Sequence, residues 1–440
     1  MSALHYGLTP KMRPVSPRRS ALVAALDIGS SKVACLIARL RPHPPQQVLT
    51  RRTHAVEVVG FGHAAARGTK AGGVVNLAQA EESIRQAVDG AERTASVEIE
   101  SVVLSVSAGR LASELFAAEV EIAGSTIAEG DIARVLAAGN RHSLRDGRAV
   151  LHSLPVGYAI DGANGIRDPR GMLGTRFGVD MHVATTDVAA ARNLMLAVER
   201  CHLAVEAMVA SPYVAGLSVL ADDEADLGVA VIDMGAGTTT IAVFQGGRFI
   251  HAEGFALGGH HVTLDIARGL NTSVADAERI KTFYGSVLVG GSDESDMITV
   301  PPIGEEDREQ AQFVPRATLV RIIKPRVEEI LEMVRDRLAA CAFAADPRAR
   351  VILTGGASQM AALPELAGRI LGRPVRIGRP LGISGLPEAA KGAAFAAATG
   401  LLVYPQAAHL EYFENRGKRY LANGTGGYFA RVGQWLRESF

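Results

Sequence analysis

Two copies of one short pattern, about two hundred residues apart, constrain this chain more than any other feature. The second copy is the clearer: Val231-Ile232-Asp233-Met234-Gly235-Ala236-Gly237-Thr238-Thr239-Thr240-Ile241-Ala242-Val243. It reads as an apolar strand, an aspartate, a tight Gly/Thr turn and a second apolar strand. The glycines at 235 and 237 are expected to bend the backbone through positive φ and to let it approach a ligand. Successive N–H groups in such a turn form a nest for anions, and Thr238 and Thr239 add hydroxyl donors. Taken alone, the stretch reads first as an ordinary glycine-rich hairpin with nothing bound. The first copy, Leu26-Asp27-Ile28-Gly29-Ser30-Ser31-Lys32-Val33, repeats strand, Asp-x-Gly, small hydroxyl residues and strand. A repeat of this kind implies two related half-domains facing each other. Two phosphate loops across a cleft make a nucleotide site, with both aspartates placed to hold a hydrated Mg²⁺.

A third junction fits the same site. The strand at 350–354 ends in Thr354-Gly355-Gly356-Ala357-Ser358. Backbone N–H groups at such a strand-to-helix turn receive anions and polar ligand groups. Further along the second half, Glu278 and Lys281 sit three apart on a helical stretch. That spacing puts them on one face, as a surface ion pair or as part of a site.

The chain has 440 residues, room for two or more cored domains. Lys+Arg and Asp+Glu both number 46, so global charge gives no argument for nucleic acid as a partner. The three cysteines, Cys35, Cys201 and Cys341, have no metal or disulfide spacing and read as free thiols of a reducing compartment. Residues 1–20 carry Lys11, Arg13, Arg18 and Arg19 among prolines and lack the apolar run of a signal peptide. They read as a flexible basic arm, or as a partner or membrane contact. No stretch reaches the roughly eighteen apolar residues of a membrane span.

Between the hairpins, Asn76 is placed to cap a helix with Leu77, Ala80, Ile84 and Val88 at helical spacing. Residues 109–184 differ in character: an alternating strand, a short helix at 128–138, a strand at 150–160 interrupted by Pro155, and another at 177–184. They read as an inserted subdomain. Asp187 is placed to cap the next helix, and Ser211-Pro212 to start another. Pro325 is expected to break the helical run that begins at Pro315.

Residues 404–426 read as a flexible linker. The last fourteen regain a pattern. At about 100° per residue, Tyr428, Phe429, Val432, Trp435, Leu436 and Phe440 fall on one side, with Arg431 and Arg437 on the other. So short a helix needs a surface, its own domain or an anionic membrane. The aromatic and arginine content and the linker favour the membrane, with several copies needed for firm anchoring.

In this order, Asp-Ile-Gly-Ser-Ser-Lys, Asp-Met-Gly-Ala-Gly-Thr-Thr and Thr-Gly-Gly-Ala-Ser resemble the phosphate and adenosine motifs of the actin, heat-shock ATPase and sugar-kinase superfamily. Further stretches are similar to the bacterial cell-division FtsA family: Arg148-Ala149-Val150-Leu151-His152, Ala275-Asp276-Ala277-Glu278-Arg279-Ile280-Lys281 and Trp435-Leu436-Arg437.

The resemblance implies an α/β, two-lobed actin-like fold of duplicated ribonuclease H-like domains, with an FtsA-type insert and a C-terminal amphipathic helix. Its parts would be a first lobe at 21–108 and 185–225, the insert at 109–184, a second-lobe core at 226–261 and 346–403, and a subdomain at 262–345. The linker at 404–426 and the helix at 427–440 follow. ATP with Mg²⁺ would lie between Asp27, Gly29, Ser30, Ser31 and Lys32 on one side and Asp233, Gly235, Gly237, Thr238 and Thr239 on the other. Gly355, Gly356 and Ala357 would line the adenosine, flanked by Glu278 and Lys281. The resemblance also implies tethering of FtsZ filaments to the inner membrane at the septum, self-assembly into filaments, and recruitment of later division proteins through the insert. Arg326 is the implied contact for the FtsZ C-terminal peptide, or else a plain exposed helix arginine. Hydrolysis, if any, would be slow. A kinase, a heat-shock chaperone and a pilus-assembly adaptor are the competing functions of the same superfamily. No carboxylate base is identifiable for a kinase. Too little chain follows residue 403 for a chaperone's peptide-binding domain.

Overall fold

A computed structural model describes residues 9–44, 49–122, 124, 126–141, 146–303 and 311–413. The proposed helix at 427–440 lies outside these residues, as do 1–8 of the arm and 414–426 of the linker.

The first Asp-x-Gly hairpin is β1 (Ala21–Ile28) and β2 (Lys32–Pro42), followed by β3 (His54–Ala65). Helix α1 (Leu77–Ala95) starts where expected, Asn76 accepting the Gln79 N–H at 3.1 Å. After β4 (Ser101–Val106) comes the insert: β5 (Ala112–Glu121), α2 (Glu129–Gly139), β6 (Arg148–Ile160), β7 (Ala163–Ile166) and β8 (Arg176–Asp187). The first lobe resumes with α3 (Val188–Glu199), β9 (Ala204–Ala210), α4 (Ser211–Val219) and the short α5 (Asp222–Leu227).

The second lobe opens with β10 (Val229–Met234), β11 (Thr239–Gln245) and β12 (Arg248–Phe255). Helices α6 (Gly259–Gly269) and α7 (Val274–Tyr284), a ribbon of β13 (Met297–Val300) and β14 (Gln312–Pro315), and α8 (Arg316–Ala339) form its outer part. Then follow β15 (Arg350–Thr354), α9 (Leu363–Leu371), β16 (Val375–Ile377), β17 (Ile383–Ser384) and α10 (Ala396–Ala407).

The duplication is visible in the sheets. The first lobe runs β3-β2-β1-β4-β9, with β17 added beyond β3, and the second runs β12-β11-β10-β15-β16. In each, three strands are joined antiparallel and two more add in parallel on the far side of the first. The central strands are apolar along their length because both faces are covered. In β10, Val229 and Val231 face the core shared with the first lobe, while Ala230, Ile232 and Met234 face the second-lobe core. Helices α4 and α10 fill the shared core and are buried almost throughout. The insert is a separate sheet, β5-β8-β6-β7, with its own small core around Phe177, Val179 and Met181.

Several expectations need correction. Pro155 does not interrupt β6. The pairing with β8 slips there, Met181 facing Pro155 and Asp180 facing Gly157, and this bulge absorbs the missing donor. Pro325 lies inside a continuous α8, where burial of Leu319, Ile323, Val327 and Ile330 holds the helix across it. Asp187 occupies the N-cap position of α3, but its carboxylate pairs with Arg148 at 2.7 Å instead of capping.

The boundaries also move. Strand β17 pairs with β3, and α10 packs in the first-lobe core, so the stretch assigned to the second lobe at 346–403 crosses back near residue 383. Residues 404–413 are helix and packed chain: Tyr404 is buried and Tyr412 N–H bonds the Ser153 carbonyl at 2.9 Å. On the arm, Thr9 is buried and Val15 N–H bonds the Pro405 carbonyl at 3.2 Å. Among the described residues, no helix is long and apolar enough to cross a membrane.

Candidate functional site

The two hairpin turns close identically. Gly29 N–H donates to the Lys32 carbonyl at 3.0 Å, and Gly235 N–H to the Thr238 carbonyl at 2.9 Å. They face each other across a cleft of about 350 Å³ between the lobes. Asp27, Gly29, Ser30, Ser31 and Lys32 line it from the first lobe, and Asp233, Gly235, Gly237 and Thr238 from the second. Gly355, Gly356 and Ala357 line it after β15, and Glu278 and Lys281 line it from α7.

Thr239 is the exception. It is fully buried on β11, and its hydroxyl donates to the Leu257 carbonyl at 2.8 Å. Neighbouring strand residues point to opposite faces, so Thr238 reaches the cleft and Thr239 does not. The backbone expectation at 235 and 237 is also corrected, since neither glycine has positive φ. Gly237 is required for space: a Cβ there would lie 2.4 Å from Ser30 Oγ and 2.8 Å from Ser30 Cβ, across the cleft. Positive φ occurs instead at Gly355, at 85°, where a Cβ would meet Asp233 Oδ1 at 2.3 Å.

The floor of the cleft is a cluster of opposed charges. The Ser105 hydroxyl donates to Asp27. Lys32 donates to the Ala394 carbonyl at 2.5 Å and its ammonium lies 4.4 Å from the Phe395 ring centre. Burial lowers the Lys32 pKa, opposed by Asp27 and Asp233. Burial, and then the charge of Asp27, push the Asp233 carboxyl up to about 7, and Lys32 offsets this only in part. Two carboxylates against one ammonium suit a divalent cation. Among the described residues no cluster of three or more metal-ligating side chains occurs. A cation held by one or two carboxylates, water and a ligand's own oxygens is the Mg²⁺ pattern.

On α7, Glu278 and Lys281 pair at 2.7 Å and are tied to α6. Lys281 donates to Thr263 Oγ1 at 2.8 Å and to the Gly259 carbonyl at 3.1 Å, and the Thr263 hydroxyl donates to Glu278. Burial works against the Glu278 carboxylate, but Lys281 and Thr263 together hold its pKa below the usual range. The pair is thus a fixed wall of the cleft.

Ser107, Ser211, Gln359 and Ala394 also line the cleft and escaped the motif reading. The signal for the two serines was present. Each directly follows a buried parallel strand, β4 or β9, and ligands of open α/β sheets bind beyond the carboxyl ends of such strands. Arg326 lies elsewhere, on α8, paired with Asp265 at 2.6 Å and with Glu329. Tyr428, Phe429, Arg431, Val432, Trp435, Leu436, Arg437 and Phe440 lie outside the described residues.

Solved structures share this architecture. One, a PilM–PilN type IV pilus biogenesis complex, matches with a TM-score of 0.59 at 17% identity, covering 87% of this chain and 98% of that one. MreB5 of Spiroplasma citri bound to ADP matches at 0.52 and 12% identity, covering 88% and 97%. Fold and cleft together define an actin-like, two-lobed protein. Within that class the sequence is specific. The family model for cell division protein FtsA matches residues 230–400, and that for the SHS2 domain inserted in FtsA matches 108–185. Cell division protein FtsA of Agrobacterium fabrum is 52% identical over 437 residues, covering 99% of this chain and 98% of that protein. Its Escherichia coli K12 counterpart is 34% identical over 428 residues, covering 95% and 98%. The chain belongs to the FtsA family of cell-division proteins.

Proposed function

We propose that the chain is an ATP-binding adaptor that tethers FtsZ filaments to the cytoplasmic face of the inner membrane at the division septum. The observation that carries the ATP reading is the meeting of the two hairpins across one cleft, which Gly355-Gly356 and the Glu278–Lys281 pair also line. Asp27 and Asp233 would hold Mg²⁺ through water, and the cation would neutralise phosphate charge. Asp233, raised to about 7, gains most from that cation. ATP then bridges the lobes and sets their closure, with hydrolysis slow at most.

The remaining roles follow from family membership and from the surfaces. Self-association of the head-to-tail kind builds filaments when it does not close on itself. Such a filament presents many copies of the C-terminal segment, whose aromatic and arginine pattern suits an anionic membrane surface. The insert, built around its own core, is the contact for neighbouring subunits and later division proteins. Arg326 receives the acidic FtsZ C-terminal peptide by exchanging its present carboxylate partners, Asp265 and Glu329.

A paired experiment tests the adaptor reading. Cosedimentation with anionic vesicles compares the full chain with a truncation after Gly426, and a peptide from the FtsZ C-terminus is titrated against wild type and Arg326→Glu. The reading expects vesicle binding by the full chain alone and peptide binding by wild type alone. Equal vesicle binding by both forms removes the anchor, and no peptide binding by wild type removes the FtsZ assignment.

A further inference from the structure

Both ends of the described chain converge on β6 of the insert. The Thr9 hydroxyl donates to the Val150 carbonyl at 2.9 Å, and Tyr412 N–H to the Ser153 carbonyl at 2.9 Å. Lys11 donates to the Leu151 carbonyl, and its ammonium lies 4.5 Å from the Phe413 ring centre. Between these contacts sits a buried polar cluster. His152 Nδ1 lies 2.8 Å from Glu411 Oε1, with side chains 0% and 2% exposed. Tyr404 donates its hydroxyl to the same oxygen at 2.8 Å.

The other side of the imidazole faces the end of β9. His152 Nε2 accepts the Ala210 N–H at 2.9 Å. That bond fixes the tautomer, so the proton sits on Nδ1 and is donated to Glu411. Ala210 is the residue before Ser211, which opens α4 and lines the cleft. Two hydrogen bonds through one ring therefore join the wall of the cleft to the strap at 404–413. The cluster is also incomplete: Glu411 Oε2 is buried without a hydrogen-bond partner among the described residues. Burial works against the Glu411 carboxylate, but His152, Lys11 and Tyr404 together hold its pKa below the usual range, so the docked strap depends on that charge.

We propose that this cluster is a latch that couples occupancy of the cleft to docking of the strap leading into the C-terminal residues. The docked strap braces His152, His152 holds Ala210 at the end of β9, and Ser211 is thereby set for the ligand. Glu411 and His152 act as positioning residues. By linkage, a ligand that favours the braced cleft also holds the strap down. An ATP-loaded subunit would then keep the root of its tail fixed beside the insert. The inference rests on the ATP reading of the cleft.

Hydrogen–deuterium exchange of the full chain, with and without MgATP, tests it alongside equilibrium ATP binding. Saturating MgATP is expected to slow exchange across residues 404–413 in the wild type. Glu411→Gln is expected to remove that protection and raise the Kd for ATP about fivefold, the lower end of ordinary coupling. Tyr404→Phe, which deletes a single hydroxyl, should shift both readouts in the same direction by less. Unchanged exchange in the ATP-saturated wild type overturns the latch. So does a Glu411→Gln chain with a loosened strap and wild-type ATP affinity. A wild type that binds no ATP overturns the cleft reading together with the latch.

Discussion

Replacing Asp233 by asparagine should make the ligand-free protein more stable, by an amount that grows with pH. Asp233 lies part-buried in the cleft beside Asp27, and its carboxyl is raised from 3.8 to about 7. A carboxyl raised in the folded state favours the protonated form, so its cost is absent below about pH 4, grows as pH rises and levels off above about 7. Each unit is about 1.4 kcal/mol, giving a plateau of roughly 4 kcal/mol and roughly 2 kcal/mol at pH 5. Asparagine has no such term. With about 2.1 cal/mol/K of unfolding entropy per residue, 440 residues unfolding together lose roughly 0.9 kcal/mol per degree. The ligand-free Asp233→Asn chain should therefore melt about 4–5 °C above wild type at pH 8 and about 2 °C above it at pH 5. MgATP should raise the melting temperature of the wild type and fail to raise that of the variant. Calorimetry at the two pH values is the assay. An equal gain at both, or a variant less stable than wild type at pH 8, refutes the assignment of Asp233 as the strained member of the cluster.

Two further substitutions separate scaffold from site. Thr239→Val removes the buried bond to the Leu257 carbonyl; it should cost about 1–3 kcal/mol of stability and leave ATP affinity unchanged, read by denaturant melts and ligand titration. Lys281→Met breaks the ion pair with Glu278 that lines the cleft. It should weaken ATP and adenosine binding by a similar factor, about tenfold for roughly 1.4 kcal/mol of lost polar contact, without affecting pyrophosphate.

The fold was legible where local chemistry decides it. The repeated Asp-x-Gly pattern led to the duplicated sheets, and the Asn76 cap and the insert emerged from spacing and composition. The sequence failed where distant packing wins. Pro325 and Pro155 are tolerated because burial and a bulge compensate them, and neither compensation is visible in a local window. The return of α10 to the first lobe, the docking of Lys11 on β6 and the burial of the Glu411 side chain depend on contacts across hundreds of residues. Of the residues lining the cleft, the Asp-x-Gly aspartates, the serines beside Lys32 and the Gly355-Gly356 turn stand out as motifs. Thr239 was misplaced by one step of strand alternation, and Ser107 and Ser211 were missed because a lone serine after a strand carries no motif of its own.

At Gly237 the two hairpin turns approach each other, and this contact tests the central claim most directly. A Cβ there lies 2.4 Å from Ser30 Oγ and 2.8 Å from Ser30 Cβ. Turning the hydroxyl away would sacrifice its bond from Gly72 N–H, 2.9 Å long, and would not move the Cβ. The lobes must part instead, at a cost of about 1–3 kcal/mol. Calorimetric titration of MgATP into the full chain should give saturable 1:1 binding for wild type and at least tenfold weaker binding for Gly237→Ala, with far-ultraviolet circular dichroism unchanged. Equal affinity in the two proteins, or no saturable binding by wild type, would contradict a site in which ATP holds the two lobes together.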